Sequence, residues 1–302
     1  MVGSESCYKK ITMISIVTPS YNRAHLLERL FKSLCQQTNQ NYEWILIDDG
    51  STDNTEDIAH YLKESNSYKK NFPFKYIKKE NGGKHTALNR GIQEAQGEMI
   101  LLLDSDDSLP PTSIETINQY YEQIKYDSSF GGVAGYMAHH DGTVIGQCAT
   151  KGVIDANSLD YHYQYGATGD MCEVFKTSVL KEFPFPEIEG EKFVPEALVW
   201  NRIAQKYKLR WFQEVIYYRD YLEGGLTDKI IKIRMKSPIS TTTCYQELCT
   251  FNVPTKVKFR SAINYWRFRM CGSSHKFPQL SSKWLWTMPI GWIMHLNDLR
   301  KL

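Results

Sequence analysis

Four short apolar runs, at residues 11–17, 44–47, 74–77 and 99–103, alternate with helical patterns through roughly the first 100 residues. Runs of this length that lack polar alternation read as strands buried on both faces. After the first run, Leu26, Leu27, Leu30, Phe31 and Leu34 form one apolar helix face, with Asn22 as its expected N-cap. Ile58, Tyr61 and Leu62 mark a second helix, and residues 86–95 a third. Strand and helix in alternation predict a mainly parallel α/β sheet. Ligands of such sheets lie outside the carboxyl ends of the strands. Here those ends carry Thr18-Pro19-Ser20, Asp48-Asp49 and Asp104-Ser105-Asp106-Asp107, so three polar clusters are expected along one edge.

The last cluster is the sharpest. Three carboxylates within four positions repel one another and are costly to desolvate. A hard divalent cation, Mn²⁺ or Mg²⁺, bridging to phosphate oxygens would relieve that repulsion; an exposed acidic turn is the alternative. Asp48-Asp49-Gly50-Ser51-Thr52-Asp53 suits an Asx turn with Ser51 or Asp53 as a helix cap, and leaves Asp49 to face a ligand. Asn81-Gly82-Gly83-Lys84 leads into a helix start, where backbone can approach an anion closely. It lacks the spacing of a Walker A loop, and a plain strand-to-helix turn is the other reading.

Taken with Val17-Thr18-Pro19-Ser20-Tyr21-Asn22-Arg23 and Ala87-Leu88-Asn89-Arg90-Gly91, the three clusters resemble the family-2 glycosyltransferases of GT-A fold, closely over residues 12–112 and more loosely to about 220. The resemblance implies a Rossmann-like, mainly parallel central sheet and a nucleotide-sugar donor. It implies that Pro19, Tyr21, Arg23 and Asp49 line the base pocket. Gly83, Lys84 and Asn89 would border the nucleoside, with Asp104 and Ser105 near the ribose. Asp106 and Asp107 would hold the metal on the diphosphate. Uracil is the commonest base in the family, so UDP is expected. The family's general base belongs to a Glu-Asp pair followed by an Arg. Aligning Trp200 and Arg202 places Glu196 on that Asp, while Pro195 replaces the Glu. Glu191 and Asp170 remain alternative bases, and with Arg202 are candidates for the acceptor side. The implied reaction is an inverting displacement in which Glu196 takes the acceptor proton. A surface Glu after a Pro at a helix start would look the same. The departure at Pro195 therefore leaves a non-catalytic sugar-nucleotide-binding or scaffold subunit as the alternative. A nucleotidyltransferase is disfavoured, because residues 18–23 do not form a Gly-rich basic loop.

The second half is less regular. Asp141-Gly142 marks a hairpin between residues 132–139 and 143–148; His139 and His140 beside it point opposite ways and suit no shared metal. Residues 198–204 read as helix and 211–218 as strand. Glu223-Gly224-Gly225-Leu226-Thr227 reads either as a loop closing over the diphosphate or as a plain turn.

Charge divides the chain. Residues 229–302 carry 13 Lys and Arg against 2 Asp and Glu, whereas residues 1–228 carry 23 against 32. An acidic body with a basic, helical extension containing Trp266, Trp284, Trp286 and Trp292 points to an anionic partner. A membrane surface bearing a lipid-linked saccharide acceptor fits best; a solvated basic face is the plainer reading, and no nucleic-acid motif is present. The expected organisation is a tail at 1–10 and a glycosyltransferase domain at 11–228. That domain divides into a nucleotide-binding half at 11–112 and an acceptor-side half at 113–228, before the extension at 229–302. Seven Cys without a CxxC suggest reduced thiols. The first apolar run breaks at Pro19, unlike a signal peptide, and the longest nearly apolar stretch, residues 284–294, is 11 long and contains Pro289. About 20 residues are needed to span a bilayer, so the expectation is a cytoplasmic protein at the inner face of a membrane.

Overall fold

A computed structural model describes residues 13–69, 72–219, 229–272 and 276–300. The Glu223–Thr227 stretch, named above for possible closure, and the 1–10 tail lie outside the described residues. Strand β1 (Ile14–Ser20) leads through helix α1 (Ala24–Cys35) to β2 (Tyr42–Asp48), then α2 (Thr55–Lys69), β3 (Phe74–Lys78), α3 (Lys84–Glu94) and β4 (Met99–Leu102). These four strands pair in parallel in the order β3-β2-β1-β4, with Val17 opposite Ile45 on one side and Leu102 on the other. The expected alternation is thus present. Every residue of β1 and β2 is buried, as strands sandwiched between helical layers require.

Beyond β4 the sheet becomes mixed. Helix α4 (Ser113–Glu122), β5 (Phe130–Ala138), β6 (Val144–Ile145), β7 (Ile154–Ala156), α5 (Ser158–Tyr163), β8 (Met171–Lys176), α6 (Thr177–Glu182), α7 (Glu196–Ile203) and β9 (Lys208–Tyr218) follow. The order continues β4-β8-β5-β9-β7, with β8 antiparallel to both neighbours and β5 parallel to β9. The Asp141-Gly142 hairpin forms, pairing Met137 with Ile145. Two clusters of buried side chains fill the two faces. One centres on Trp44, Leu101 and Phe212, the other on Ile45, Phe175 and Trp211. On the second face α3 lies unusually close to β1, because a Cβ at Gly91 would collide with Val17. That approach anchors the helix whose first turn carries Lys84.

Past residue 229 the chain is helical: α8 (Ile230–Lys236), α9 (Pro238–Leu248), α10 (Thr255–Arg269), a 3-10 turn (Ser282–Thr287) and α11 (Met288–Leu299). Among the described residues no helix is long and apolar enough to cross a membrane. The six described cysteines are free thiols.

Candidate active site

The site is assembled where β1, β2 and β4 end. Buried Asp49 accepts hydrogen bonds from the Gly82 and Gly83 amides (3.0 and 2.7 Å) and from Lys79 Nζ (2.8 Å), so its carboxylate clamps the glycine loop onto the strand ends. Gly83 has φ +96°, and a Cβ there would collide with the Lys192 carbonyl; only glycine suits this turn. Asn22 does not cap α1 as the sequence suggests. It takes φ 53°, and its Oδ1 accepts from the Thr52 amide (2.8 Å). Asp53 instead accepts from the Ala24 amide (3.2 Å) and the Thr55 amide (3.0 Å), capping α1 and α2 together. Pro19 is locked in the ladder opposite Ile47, Arg23 stands at the N-cap position of α1, and Tyr21 is exposed. Asn89 exchanges hydrogen bonds with the Phe185 backbone (2.8 and 2.9 Å) and donates to Glu187, and it lines a pocket with Lys79, Asn81 and Gly82 just beyond the end of β3.

At the end of β4, carboxylate oxygens of Asp104, Asp106 and Asp107 lie within 4.8 Å of one another. Ser105 between them is buried. Asp107 is buried too, and accepts from Tyr217 Oη (2.7 Å), which itself accepts from the Asp104 amide (3.0 Å). Burial, then the Asp104 charge and the weaker Asp106 charge, push the Asp107 carboxyl up to about 8, against the Tyr217 bond and Arg219. Three hard oxygen donors whose mutual repulsion already raises one of them fit Mg²⁺ or Mn²⁺, which bind through one or two carboxylates and complete their shells with phosphate and water. The Arg29 guanidinium donates to the Asp106 carbonyl and ties the turn to α1.

Lys84, in the first turn of α3, reaches Asp104 (2.6 Å) and Glu196 (2.8 Å) with one ammonium. Its burial works against the charge, but the two carboxylates outweigh that and hold its pKa well above the ordinary lysine value. Glu196 opens α7 directly after Pro195, which sits at the N-cap position. Glu173 on neighbouring β8 is pushed up to about 8 by burial and by the charges of Glu196 and Asp170.

The other acceptor-side candidates have structural partners. Buried Glu191 accepts from the Ile239 and Ser240 amides (2.6 and 2.9 Å) and from Ser240 Oγ (2.7 Å), capping the start of α9. Arg202 makes a two-pronged pair with Glu247 of α9 (2.6 and 2.9 Å). Asp170 accepts from Arg219 (2.9 Å). The two histidines diverge as expected: His140 Nε2 meets Ser108 Oγ (2.8 Å) and His139 Nδ1 donates to the Arg219 carbonyl (3.1 Å). Sequence reading misses Tyr217, Lys79 and Arg219. Tyr217 lies on a recognised strand, but the backbone pairing of Ser108 with Tyr218 that brings it to Asp107 has no sequence signature.

The family model described as "Glycosyl transferase family 2" matches residues 15–177. An undecaprenyl-phosphate 4-deoxy-4-formamido-L-arabinose transferase of Proteus mirabilis is 40% identical over 113 residues, covering 36% of this chain and 33% of that protein. The chain therefore aligns with only a third of that relative's length. Glycosyltransferase GlyG of Streptococcus pneumoniae is 29% identical over 229 residues, covering 71% of this chain and 72% of its own. The fold is shared with S. aureus TarS, solved in complex with UDP, at a TM-score of 0.60 and 18% identity, covering 86% of this chain and 72% of that one.

Proposed function

The chain belongs to glycosyl transferase family 2, and from that premise we propose that it moves a sugar from a nucleotide-sugar, a UDP-sugar, to a hydroxyl of a saccharide acceptor. The acceptor is a lipid-linked or surface-polysaccharide precursor. The observation that carries this reading is the Lys84 bridge, which holds the acidic end of β4 and the first residue of α7 at one point. An acidic nucleotide site with a separate carboxylate beside it is what a displacement at an anomeric carbon needs. Residues 11–112 supply the donor side and 113–228 the acceptor side.

In this reaction the Glu196 carboxylate accepts the proton of the acceptor hydroxyl as its oxygen attacks the anomeric carbon. The bond from that carbon to the diphosphate breaks, and its electron pair leaves on UDP, so the configuration inverts. Asp49 and the glycine loop it clamps form the wall of the base pocket, and Asp104 meets the ribose. Asp106 and Asp107 are the residues that would hold Mn²⁺ or Mg²⁺, which supplies Lewis-acid neutralisation of the departing diphosphate. Tyr217 orients Asp107 for that role through its 2.7 Å hydrogen bond. Lys84 compensates the charges of Glu196 and Asp104, which it bridges.

Two similar proteins bear on the substrates: the name of one includes undecaprenyl-phosphate, and the TarS structure contains UDP. A lipid-linked acceptor places the enzyme at the cytoplasmic face of a membrane, which the basic extension 229–302 would contact peripherally.

Calorimetric titration with UDP, GDP and CDP, with and without Mn²⁺, tests the reading. UDP binding that tightens with Mn²⁺ and is lost in Asp106→Ala is the expected result. Preference for GDP would overturn the base assignment. Absence of nucleotide binding by a folded sample would overturn the enzyme reading and favour a scaffold role.

A further inference from the structure

Exposed apolar side chains are scattered singly over the body, but they crowd together at one place in the extension. Leu285, Trp286, Trp292 and Ile293 are 52%, 60%, 52% and 56% exposed, and Met288 and Ile290 lie between them. All belong to the 3-10 turn and the first two turns of α11. Gly291, His295 and Asp298 form the opposite, buried stripe of α11. Gly291 packs so closely on α10 that a Cβ would meet the Ile263 carbonyl at 2.6 Å, so the buried side of the helix is fixed and the apolar side is left facing out. Trp286 stacks on Phe259 of α10 (5.2 Å, 18° between planes), extending the patch onto a second helix. Contiguous apolar surface of this kind marks an interaction site.

The rim of the patch is basic. Lys256 and Arg260 flank Phe259 on α10 and are exposed, Lys283 is the second residue of the 3-10 turn, and Arg300 follows α11. The only acidic residues of the extension are Glu247 and Asp298. Both are committed to guanidinium partners, Arg202 and Arg267 respectively. We propose that this face is a membrane wedge: Leu285, Trp286 and Ile293 enter the acyl boundary of an anionic bilayer, and Lys256, Arg260 and Lys283 engage its phosphate headgroups. Trp at the headgroup level beside basic residues is the chemistry of an interfacial helix. A second copy of the chain fits less well. A two-fold contact would set the patch against itself and bring the like-charged rims together.

The inference rests on the peripheral membrane contact of the proposed function and names the surface that makes it. The test is co-sedimentation of the full chain with phosphatidylcholine vesicles containing phosphatidylglycerol, at physiological and high salt. Wild type should bind at both, while Trp286→Ser/Ile293→Ser loses about tenfold or more at physiological salt and all binding at high salt, because only apolar insertion resists screening. The double variant should stay folded by circular dichroism and keep wild-type UDP affinity, its thermal midpoint lowered only by the lost Trp286–Phe259 stacking, and Tyr126→Ser, an exposed aromatic far along the chain, should bind vesicles normally. Full binding by the double variant, with loss in Lys256→Gln/Arg260→Gln, overturns the wedge but leaves a purely electrostatic membrane contact standing. Wild type that ignores the vesicles overturns both. Wild type that sediments as a dimer, with a monomeric double variant, assigns the face to self-association and overturns the wedge.

Discussion

Two side chains near the candidate site have so few partners that their substitution is informative. Glu196 touches Lys84 alone among the described ion pairs, and removing its charge keeps its shape. Glu196→Gln should therefore lower transfer by about 10²–10⁴, the usual contribution of a general base, while UDP binding stays within about twofold; unchanged transfer in a radiolabelled-donor assay would reassign the base. His85 is buried beside the charges of Glu187, Asp49 and Lys79, and its Nδ1 lacks a hydrogen-bond partner among the described residues. Burial pushes its pKa below the ordinary 6.5. As pH falls through about 6.5, the unfolded chain takes up this proton before the folded one, so stability drops on the acid side and is complete above it. Thermal midpoints measured from pH 7.5 down to 5.5, within that window, should fall less steeply in His85→Leu than in wild type. An identical slope in both would remove His85 from the acid response.

Elements transmit the site's geometry. Helix α7 carries Glu196 at its first residue and Arg202 in its last turn, and Arg202 is gripped by Glu247 of α9. Helix α9 is in turn capped by Glu191, from the segment just before α7. The basic extension thus grips the far end of the helix that carries Glu196, beyond any role at a membrane. Glu247→Ala should cost about 1–2 kcal/mol of stability, discounted from a buried pair because Arg202 is partly exposed to screening water. It should also lower kcat several-fold with UDP affinity unchanged. A double-mutant cycle with Arg202→Ala checks this: additive effects on kcat would show that the pair does not act as a unit.

At the scale of the whole molecule, an acidic body and a basic extension share one chain with a net charge of only +2. Net charge near neutral hides a charge asymmetry that would turn the proposed membrane face of the extension toward anionic surfaces. Each Lys or Arg near such a surface contributes about 1 kcal/mol, fading beyond a Debye length. Vesicle affinity should therefore fall steeply with salt to a non-zero floor set by the apolar face, while transfer to a soluble acceptor changes little. Light scattering against vesicles and a soluble-acceptor assay over the same salt series check both halves; transfer that fell in step with vesicle binding would place the salt-sensitive charges in the active site.

What local chemistry specifies is written along the chain. Strand and helix periods, the Asp141-Gly142 hairpin and the polar ends of β1, β2 and β4 depend on residues close in sequence, so the parallel half of the sheet and its acidic edge are legible in the residues themselves. The expected Asn22 cap fails because Asp53, brought over by the adjacent parallel strand, supplies a carboxylate to the same amide end. Everything that depends on which strand lies beside which is hidden from a linear reading. The insertion of β8 between β4 and β5 and the arrival of Tyr217 at Asp107 are set by sheet order, not by any local pattern. The meeting of Lys84 with Glu196 and the commitment of Glu191 to α9 join segments far apart in the chain, and neither follows from any local pattern. The tryptophans make the same point: Trp284 is buried and Trp286 exposed, two positions apart on one 3-10 turn. Hydrophobicity alone does not separate them, because which side of that turn meets α10 is decided by packing over long sequence distance.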